Sequence, residues 1–156
     1  MYKYMLIKHK NYFLLTVFLI LTDQLSKWLA YEYLGVFSKQ INSFLSLTFA
    51  QNYGAAFSLL AQQDGWQRYF LSGISAAASI AIIIWMFRTP AKNTLKLSAL
   101  MLILSGALGN MIDRVYNGFV IDFIHVHYNT WSFPIFNLAD SFISVGVVLL
   151  LLADRK

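Results

Sequence analysis

The sequence predicts an all-α integral membrane protein with four transmembrane helices, both termini in the cytoplasm, and a small β-sheet that caps the helices on the extracytoplasmic side. Three observations support this fold class. Hydrophobic residues make up 58% of the 156 residues and charged residues 12%, with a mean hydropathy of +0.58, which is more than a soluble domain of this size can bury. Four apolar runs have about the length needed to cross a bilayer. Most of the cations lie on one side of these runs.

The four apolar runs form a single membrane domain over residues 1–156. They cover about 11–30, 66–87, 95–115 and 136–153. Asp23 and Lys27 interrupt the far end of the first run. The second run is closed by Arg88 and then by Pro90, a residue that stops helices.

The start of the chain also resembles a cleavable signal peptide, because a basic head precedes an apolar stretch. However, the run continues through Asp23 without a small-x-small cleavage pattern, and Trp28 stands where a small residue would be needed. We therefore expect an uncleaved first span.

The positions of the cations predict the orientation of the spans. Eight of the twelve Lys and Arg residues share one side, namely Lys3, Lys8, Lys10, Arg88, Lys92, Lys96, Arg155 and Lys156. Because basic loops tend to stay in the cytoplasm, both termini are expected inside, and the loops at about 31–65 and 116–135 outside. The net charge of +5 is not gathered into one basic block, so no nucleic-acid partner is expected.

Both outer loops contain strand signals. Leu45–Phe49 alternates apolar and polar residues with period two, and Phe119–Val126 is rich in β-branched and aromatic residues. Asn52–Gly54 is expected to form a turn. Ala55–Leu60 is expected to be either a strand or a short amphipathic segment in the membrane interface.

The most informative side chains are four carboxylates in or beside the apolar runs. Asp23, Asp113, Asp122 and Asp140 are four of the seven acidic residues. Ionisable groups near hydrocarbon are costly and usually functional. All four are expected at one depth towards the outer face, which favours a common site.

Each carboxylate also has a structural explanation. Asp23 and Lys27 are spaced i, i+4 and can neutralise each other on one helix face. Asp113 can be a helix-end or packing residue, and adjacent Arg114 points in another direction and needs its own partner. Asp140 can be an acid favoured by the dipole at a helix N-terminus. These structural interpretations remain open beside the functional one, and a structural role for Asp122 is also open.

Small residues and amides surround these carboxylates. Gly106 and Gly109 are spaced to let helices approach closely. Asn110 and Asn137, which precede Asp113 and Asp140 by three residues, need partners when buried and can orient a carboxylate or hold a peptide backbone.

Other reaction types are disfavoured. The chain has no cysteine, which excludes disulfides and thiolate chemistry. His125, His127 and Asp122 have a spacing too general to indicate a metal site, so neither a metal nor a cofactor is expected. Ser26 and Lys27 are adjacent, and neighbouring helical residues do not face each other, which argues against a serine–lysine dyad.

Five motifs in sequence order resemble those of the bacterial lipoprotein signal peptidases, or signal peptidase II. They are Asp23–Lys27, Asn52–Phe57, Gly109–Arg114, Val120–Phe123 and Phe136–Ser141. The match extends over nearly the whole chain. No single motif would identify the family, but five motifs in this order on four predicted spans are specific for it.

The resemblance implies an aspartic endopeptidase of the bacterial cytoplasmic (inner) membrane. Such an enzyme removes signal peptides from prolipoproteins by cutting on the N-terminal side of a diacylglyceryl-modified cysteine. It implies that Asp122 and Asp140 are catalytic, and that the site lies near the extracytoplasmic face. Two further groups are implied: Asn52, Gly54, Asn110, Arg114 and Asn137 for substrate binding or site architecture, and Asp23, Lys27 and Asp113 for structural support. The expected partners are lipid-modified prolipoproteins and membrane lipids, and the expected state is a monomer.

Physical chemistry agrees with two acids as the reactive groups. Two carboxyls held close together share one proton, so that one acts as a base on water and the other as an acid. The alternative function is a small proton- or ion-coupled transporter, since titrating acids in a bundle can carry protons. A transporter would favour acids near the membrane midplane, and here they are expected towards one face.

Overall fold

The fold consists of long helices and a small antiparallel sheet. The structure, a computed structural model, describes residues 2–35, 37–54 and 65–154, and the side chains from His9 onward. The elements in chain order are α1 (Tyr2–Leu34), β1 (Ser38–Asn42), β2 (Leu45–Asn52), α2 (Gln67–Arg88), α3 (Thr94–Tyr116), β3 (Val120–Tyr128), β4 (Trp131–Ser132) and α4 (Leu138–Ala153).

Among the described residues, three helices are long and apolar enough to cross a membrane. They are α1 over His9–Leu34, α2 and α3. Helix α4 is apolar but has 16 residues, which at 1.5 Å per residue is about 24 Å, less than the roughly 30 Å of a hydrocarbon core. Four spanning helices with cytoplasmic termini therefore stay a prediction.

Three helix boundaries differ from the expected spans by more than one residue, and one of them is the end of α1, at Leu34 rather than near Ala30. Helix α1 begins at Tyr2 rather than near Asn11, because the helix also includes the basic residues that precede the apolar run. Helix α4 begins at Leu138 rather than at Phe136, because Asn137 is extended and caps it.

Helix α3 is the central helix and packs against α1, α2 and α4. Two glycines allow this contact, as the sequence predicted. A Cβ atom at Gly106 would collide with the carbonyl oxygen of Ala139 and lie 2.6 Å from Cγ1 of Ile143. A Cβ at Gly109 would lie 2.6 Å from Oδ2 of Asp23. The glycines thus bring the helices that carry the carboxylates into direct contact.

We expect Gly106→Ala to destabilise the protein by about 1–3 kcal/mol, the usual cost of an overpacked core. The added methyl group has to push the start of α4 away from α3. Thermal unfolding in detergent measures the effect.

Gly73→Ala is the matched control, because a Cβ at Gly73 on α2 meets nothing within 4 Å. Its unfolding temperature should stay the same or rise slightly, since alanine favours a helix over glycine. Equal losses in both variants would show that α3 and α4 do not depend on this close approach.

The sheet has the strand order β1-β2-β3-β4, with every neighbouring pair antiparallel. Strands β2 and β3 confirm the two predicted strand signals. Strands β1 and β4 were not predicted, because β1 is exposed along its whole length and β4 has two residues. The segment Ala55–Leu60 lies outside the described residues.

The sheet is fixed to the C-terminal end of α1 by an apolar cluster. Ala30 and Leu34 of α1 are buried against Ile121 and Phe123 of β3, with Leu47 and Phe49 of β2 packed around them. The paired residues Ala50 and Asp122 place Asn52 diagonally across from Asp122 on one face of the sheet. The sheet thereby carries one of the four carboxylates to the helices.

Candidate active site

Two of the predicted carboxylates, Asp122 and Asp140, face one cavity. Asp122 lies on β3, and Asp140 is the third residue of α4. The cavity has a volume of about 730 Å³, and Asn52, Asn110 and Arg114 also line it. We call Asp122 and Asp140 the carboxyl pair.

Asn137 joins the two members of the carboxyl pair. Its Nδ2 donates to Oδ1 of Asp122 at 2.6 Å, while its Oδ1 accepts the backbone N–H of Asp140 at 2.9 Å. The backbone N–H of Asn137 donates to Oδ2 of Asp140 at 3.3 Å, which completes a capping box at the start of α4. Asn137 is fully buried, so helix α4 begins where this amide meets β3.

Two further amides hold the remaining carboxyl oxygens. Asn52 Nδ2 donates to Oδ2 of Asp122 at 3.0 Å. Asn110 Nδ2 donates to Oδ1 of Asp140 at 2.8 Å. Each carboxyl group is therefore held at both oxygens by groups from different elements, which fixes its orientation.

Arg114 connects α3 to the segment that follows β2. Its Nη2 donates to the carbonyl oxygen of Gly54 at 3.0 Å, and its Nη1 donates to the carbonyl oxygen of Asn110 at 3.4 Å. The N–H of Gly54 donates in turn to Oδ1 of Asn52 at 3.0 Å. Among the described residues, the buried Nε of Arg114 has no partner.

The two carboxyl groups differ in their electrostatic surroundings. Burial, and then the nearby charge of Asp140, raises the pKa of Asp122 to about 7, against the lowering effect of its hydrogen bonds from Asn52 and Asn137. Asp140 lies in the first turn of α4, where the helix dipole stabilises a negative charge. The raised pKa means that Asp122 keeps its proton up to about pH 7.

Behind the pair lies a buried ion cluster of Asp23, Lys27 and Asp113. Nζ of Lys27 is 2.9 Å from Oδ2 of Asp23 and 3.0 Å from Oδ2 of Asp113. Gln24 Nε2 donates to both carboxylates, at 3.2 Å to Asp23 and 3.0 Å to Asp113. The predicted Asp23–Lys27 pair is thus present, and Asp113 completes the ion cluster by pairing with the same Lys27.

The cavity continues from the carboxyl pair into an apolar groove. Its walls come from α2, α3 and α4, and they include Leu71, Ile74, Ala78, Ala107, Ile143 and Val145. The sequence did not identify the residues of α2 as part of the site, because an apolar span gives no sign of which face lines a groove.

The two histidines considered for a metal site and the serine considered for a dyad each make a hydrogen bond to a different partner. Nε2 of His127 is 2.8 Å from Oγ of Ser46, and Nε2 of His125 is 2.7 Å from Oγ of Ser132. Ser26 Oγ donates to the carbonyl oxygen of Asp23, and not to its neighbour Lys27. Over residues 9–35, 37–54 and 65–154, no three His, Asp or Glu side chains come together as metal ligands would.

The structure brings the predicted residues into two connected groups. One consists of the carboxyl pair with Asn52, Gly54, Asn110, Arg114 and Asn137, and the other is the ion cluster. Lys27 connects them, because its Nζ donates to Oδ1 of Asn110 at 3.0 Å. Gln24 was missed, although an amide next to Asp23 in a membrane span was the signal that could have identified it.

Comparison with known proteins gives a consistent result. The family model for Signal peptidase (SPase) II matches residues 15–154. A lipoprotein signal peptidase of Acinetobacter baumannii is 46% identical over 139 residues, which are 88% of this chain and 79% of that protein. The lipoprotein signal peptidase of Yersinia enterocolitica is 44% identical over 138 residues, covering 88% of this chain and 82% of that protein.

Solved structures agree with the fold. A bacterial membrane enzyme determined by the in meso method at 2.3 Å resolution has a TM-score of 0.83 and 32% sequence identity, covering 94% of this chain and 88% of that one. A second bacterial membrane enzyme, determined at 1.9 Å, has a TM-score of 0.80 and 34% identity, and covers 94% of both chains. With the family model matched over most of its length, the chain belongs to the signal peptidase II family of lipoprotein signal peptidases.

Proposed function

We propose that the chain is an intramembrane aspartic endopeptidase that removes signal peptides from prolipoproteins. It cleaves on the N-terminal side of the diacylglyceryl-modified cysteine, and the carboxyl pair Asp122 and Asp140 activates water for the attack. The observation that carries the proposal is that these two carboxyl groups, one from β3 and one from α4, line the same cavity. They are close enough for the charge of Asp140 to raise the pKa of Asp122.

The electrostatic difference within the pair supports a division of roles. Asp140, as the charged member, takes a proton from the attacking water. Asp122, as the protonated member, hydrogen-bonds the scissile carbonyl oxygen and gives it the proton as the tetrahedral intermediate forms. When the intermediate collapses, Asp140 gives its proton to the leaving amine, and Asp122 takes back the proton from the hydroxyl that becomes the carbonyl of the new carboxyl group. This sequence uses neither a covalent enzyme adduct nor a cofactor.

The groove beside the pair suits a substrate that stays in the membrane. In this proposal four helices span the inner membrane with both termini in the cytoplasm, and the carboxyl pair lies near the extracytoplasmic face. Arg88 and Lys96 are at the opposite ends of α2 and α3 from the site, as the positive-inside tendency requires. The apolar walls accept the signal segment, while the lipid chains remain among membrane lipids. One chain supplies both carboxyl groups, so a monomer suffices.

Arg114 is assigned to gripping the substrate backbone. We expect Arg114→Ala to raise KM about tenfold or more with a smaller change in kcat, because the guanidinium lines the cavity and holds the carbonyl oxygen of Gly54. Steady-state kinetics with a lipid-modified precursor measures both constants.

Arg88→Ala is the matched control, because Arg88 is exposed at the other end of α2. It should keep the parent constants. Unchanged processing and binding in Arg114→Ala would remove Arg114 from the substrate site.

The activity should decrease above about pH 7. Below this pH Asp122 holds its proton, and the pair contains one acid and one base. Above it Asp122 loses the proton, because its pKa is raised to about 7, and the acid is lost. We expect kcat/KM to fall about tenfold per pH unit on this limb. A profile from pH 5 to 9 measures it, and constant activity up to pH 9 would contradict the assignment of the acid.

The substrate assignment can be tested with purified protein in detergent. A diacylglyceryl-modified precursor and the same precursor without lipid are supplied, and mass spectrometry identifies the bond that is cut. The proposal predicts cleavage of the modified precursor immediately before the modified cysteine. Failure to cut either precursor would refute it. Because detergent removes any sealed compartment, cleavage there also separates a peptidase from a transporter.

A further inference from the structure

The ion cluster touches the chain immediately before each member of the carboxyl pair. The backbone N–H of Ala139 donates to Oδ1 of Asp23 at 2.9 Å. The backbone N–H of Ile121 donates to Oδ2 of Asp113 at 3.1 Å. Ala139 precedes Asp140, and Ile121 precedes Asp122. The two carboxylates of the cluster therefore hold α4 and β3 at equivalent positions.

Lys27 makes a third connection, to the amide that holds Asp140. Its ammonium group can only donate, so the oxygen of the Asn110 amide has to face it, and the bond is 3.0 Å long. The amide nitrogen of Asn110 is thereby directed to Oδ1 of Asp140. Reversing the Asn110 amide would lose both bonds at once.

All three members of the ion cluster are almost completely buried. Asp23 is 0% exposed, and Lys27 and Asp113 are each 1% exposed. Burying three charges carries a large desolvation penalty, and well-packed apolar side chains often stabilise a fold equally well. What apolar side chains cannot do is accept the two backbone N–H groups and orient the Asn110 amide.

We propose that Lys27, together with Asp23 and Asp113, is a positioning device that sets the separation and the orientation of the Asp122 and Asp140 carboxyl groups. This inference rests on the proposed function, since it concerns the geometry needed for that reaction. Lys27 does not touch the reacting atoms. It acts through Asn110 on Asp140, and through the two carboxylates on the segments that carry the pair.

The test compares two variants. Lys27→Met removes the ammonium group and leaves two buried carboxylates without their cation. The triple variant Asp23→Asn, Lys27→Met, Asp113→Asn removes all three charges and keeps an amide oxygen near each backbone N–H. Lys96→Met is the matched control, because Lys96 forms its ion pair with Asp154 at the end of α3 remote from the site.

We expect both Lys27 variants to lose about 100-fold in kcat per folded molecule with little change in KM, the usual effect of displacing catalytic groups by about 1 Å. The triple variant should regain most of the unfolding temperature lost by Lys27→Met, but not its activity. Lys27→Met should also move the alkaline limb of kcat/KM to higher pH, because the charge of Lys27 lowers the pKa of Asp122. Lys96→Met should match the parent in all these measurements.

Three results would overturn the positioning role. They are parent kcat in folded Lys27→Met, recovery of both stability and kcat in the triple variant, and a triple variant that unfolds as readily as Lys27→Met. The second would show that the buried charges serve only the fold, and the third that the lost activity cannot be separated from lost stability. A parent protein that fails to cleave the lipid-modified precursor would instead refute the proposed function.

Discussion

Asp140→Asn is expected to lower kcat by at least about 10³-fold, because the base that accepts the proton from water is lost while the general shape of the site is retained. The asparagine side chain can still accept the N–H of Asn137, so the capping box that begins α4 is preserved. The rate of precursor cleavage and the unfolding temperature together separate lost chemistry from lost folding.

The same variant should also change the titration of Asp122. Removing the negative charge of Asp140 removes the second cause of its raised pKa, while burial, the first cause, remains. The pKa of Asp122 should therefore fall below about 7 without reaching its ordinary value. Isotope-edited infrared spectroscopy of the Asp122 carboxyl can follow this change. An unchanged pKa would show that the two carboxyl groups do not interact.

Asn137→Ala is expected to have the second large effect, a loss of about 100-fold in kcat. The substitution removes the donor to Asp122 and the acceptor for the N–H of Asp140, so both members of the pair lose a support. It also removes the cap of α4, which costs about 0.5–2 kcal/mol of stability. Steady-state kinetics and thermal unfolding measure the two effects separately.

Asn137→Ser distinguishes these contributions. A serine is also a good helix cap, so the unfolding temperature should stay close to that of the parent. Its short side chain cannot both cap α4 and reach Asp122, so kcat should remain low. If the serine variant recovered full activity, the role of Asn137 would be limited to capping the helix.

The sequence was sufficient to predict features that depend on local spacing. The i, i+4 spacing predicted the pairing of Asp23 with Lys27, and the glycines predicted the close approach of α3. The strand signal around Asp122 was also correct. In each case the physical cause lies within one turn of helix or one strand.

Features that depend on contacts between distant segments could not be predicted. The third member of the ion cluster, Asp113, meets Lys27 across two helices, and Ala139 reaches Asp23 from α4. The apolar groove likewise depends on which face of α2 turns towards the site. Strand β1 lacks alternation because all of its residues are exposed, so its pairing with β2 left no signal in the sequence.

The ion cluster and the carboxyl pair were expected to have separate roles, one structural and the other catalytic. In the structure a hydrogen bond from Lys27 to Asn110 joins their side chains, in addition to the two backbone N–H groups that Asp23 and Asp113 accept. The bond is invisible in the sequence because the two residues are on different helices, and an amide has two ends that a sequence cannot orient. It is this connection that assigns a role in positioning to the buried lysine.

The central claim is that Asp122 and Asp140 together carry out the cleavage, and the most direct measurement is the cleavage rate of Asp122→Asn. Purified parent, Asp122→Asn and Asp154→Asn are compared in detergent at pH 6 with the lipid-modified precursor. Asp154 pairs with Lys96 far from the site and provides the matched control. We predict that the parent and Asp154→Asn cleave at equal rates and that folded Asp122→Asn does not cleave. Cleavage by folded Asp122→Asn at the parent rate would contradict the account.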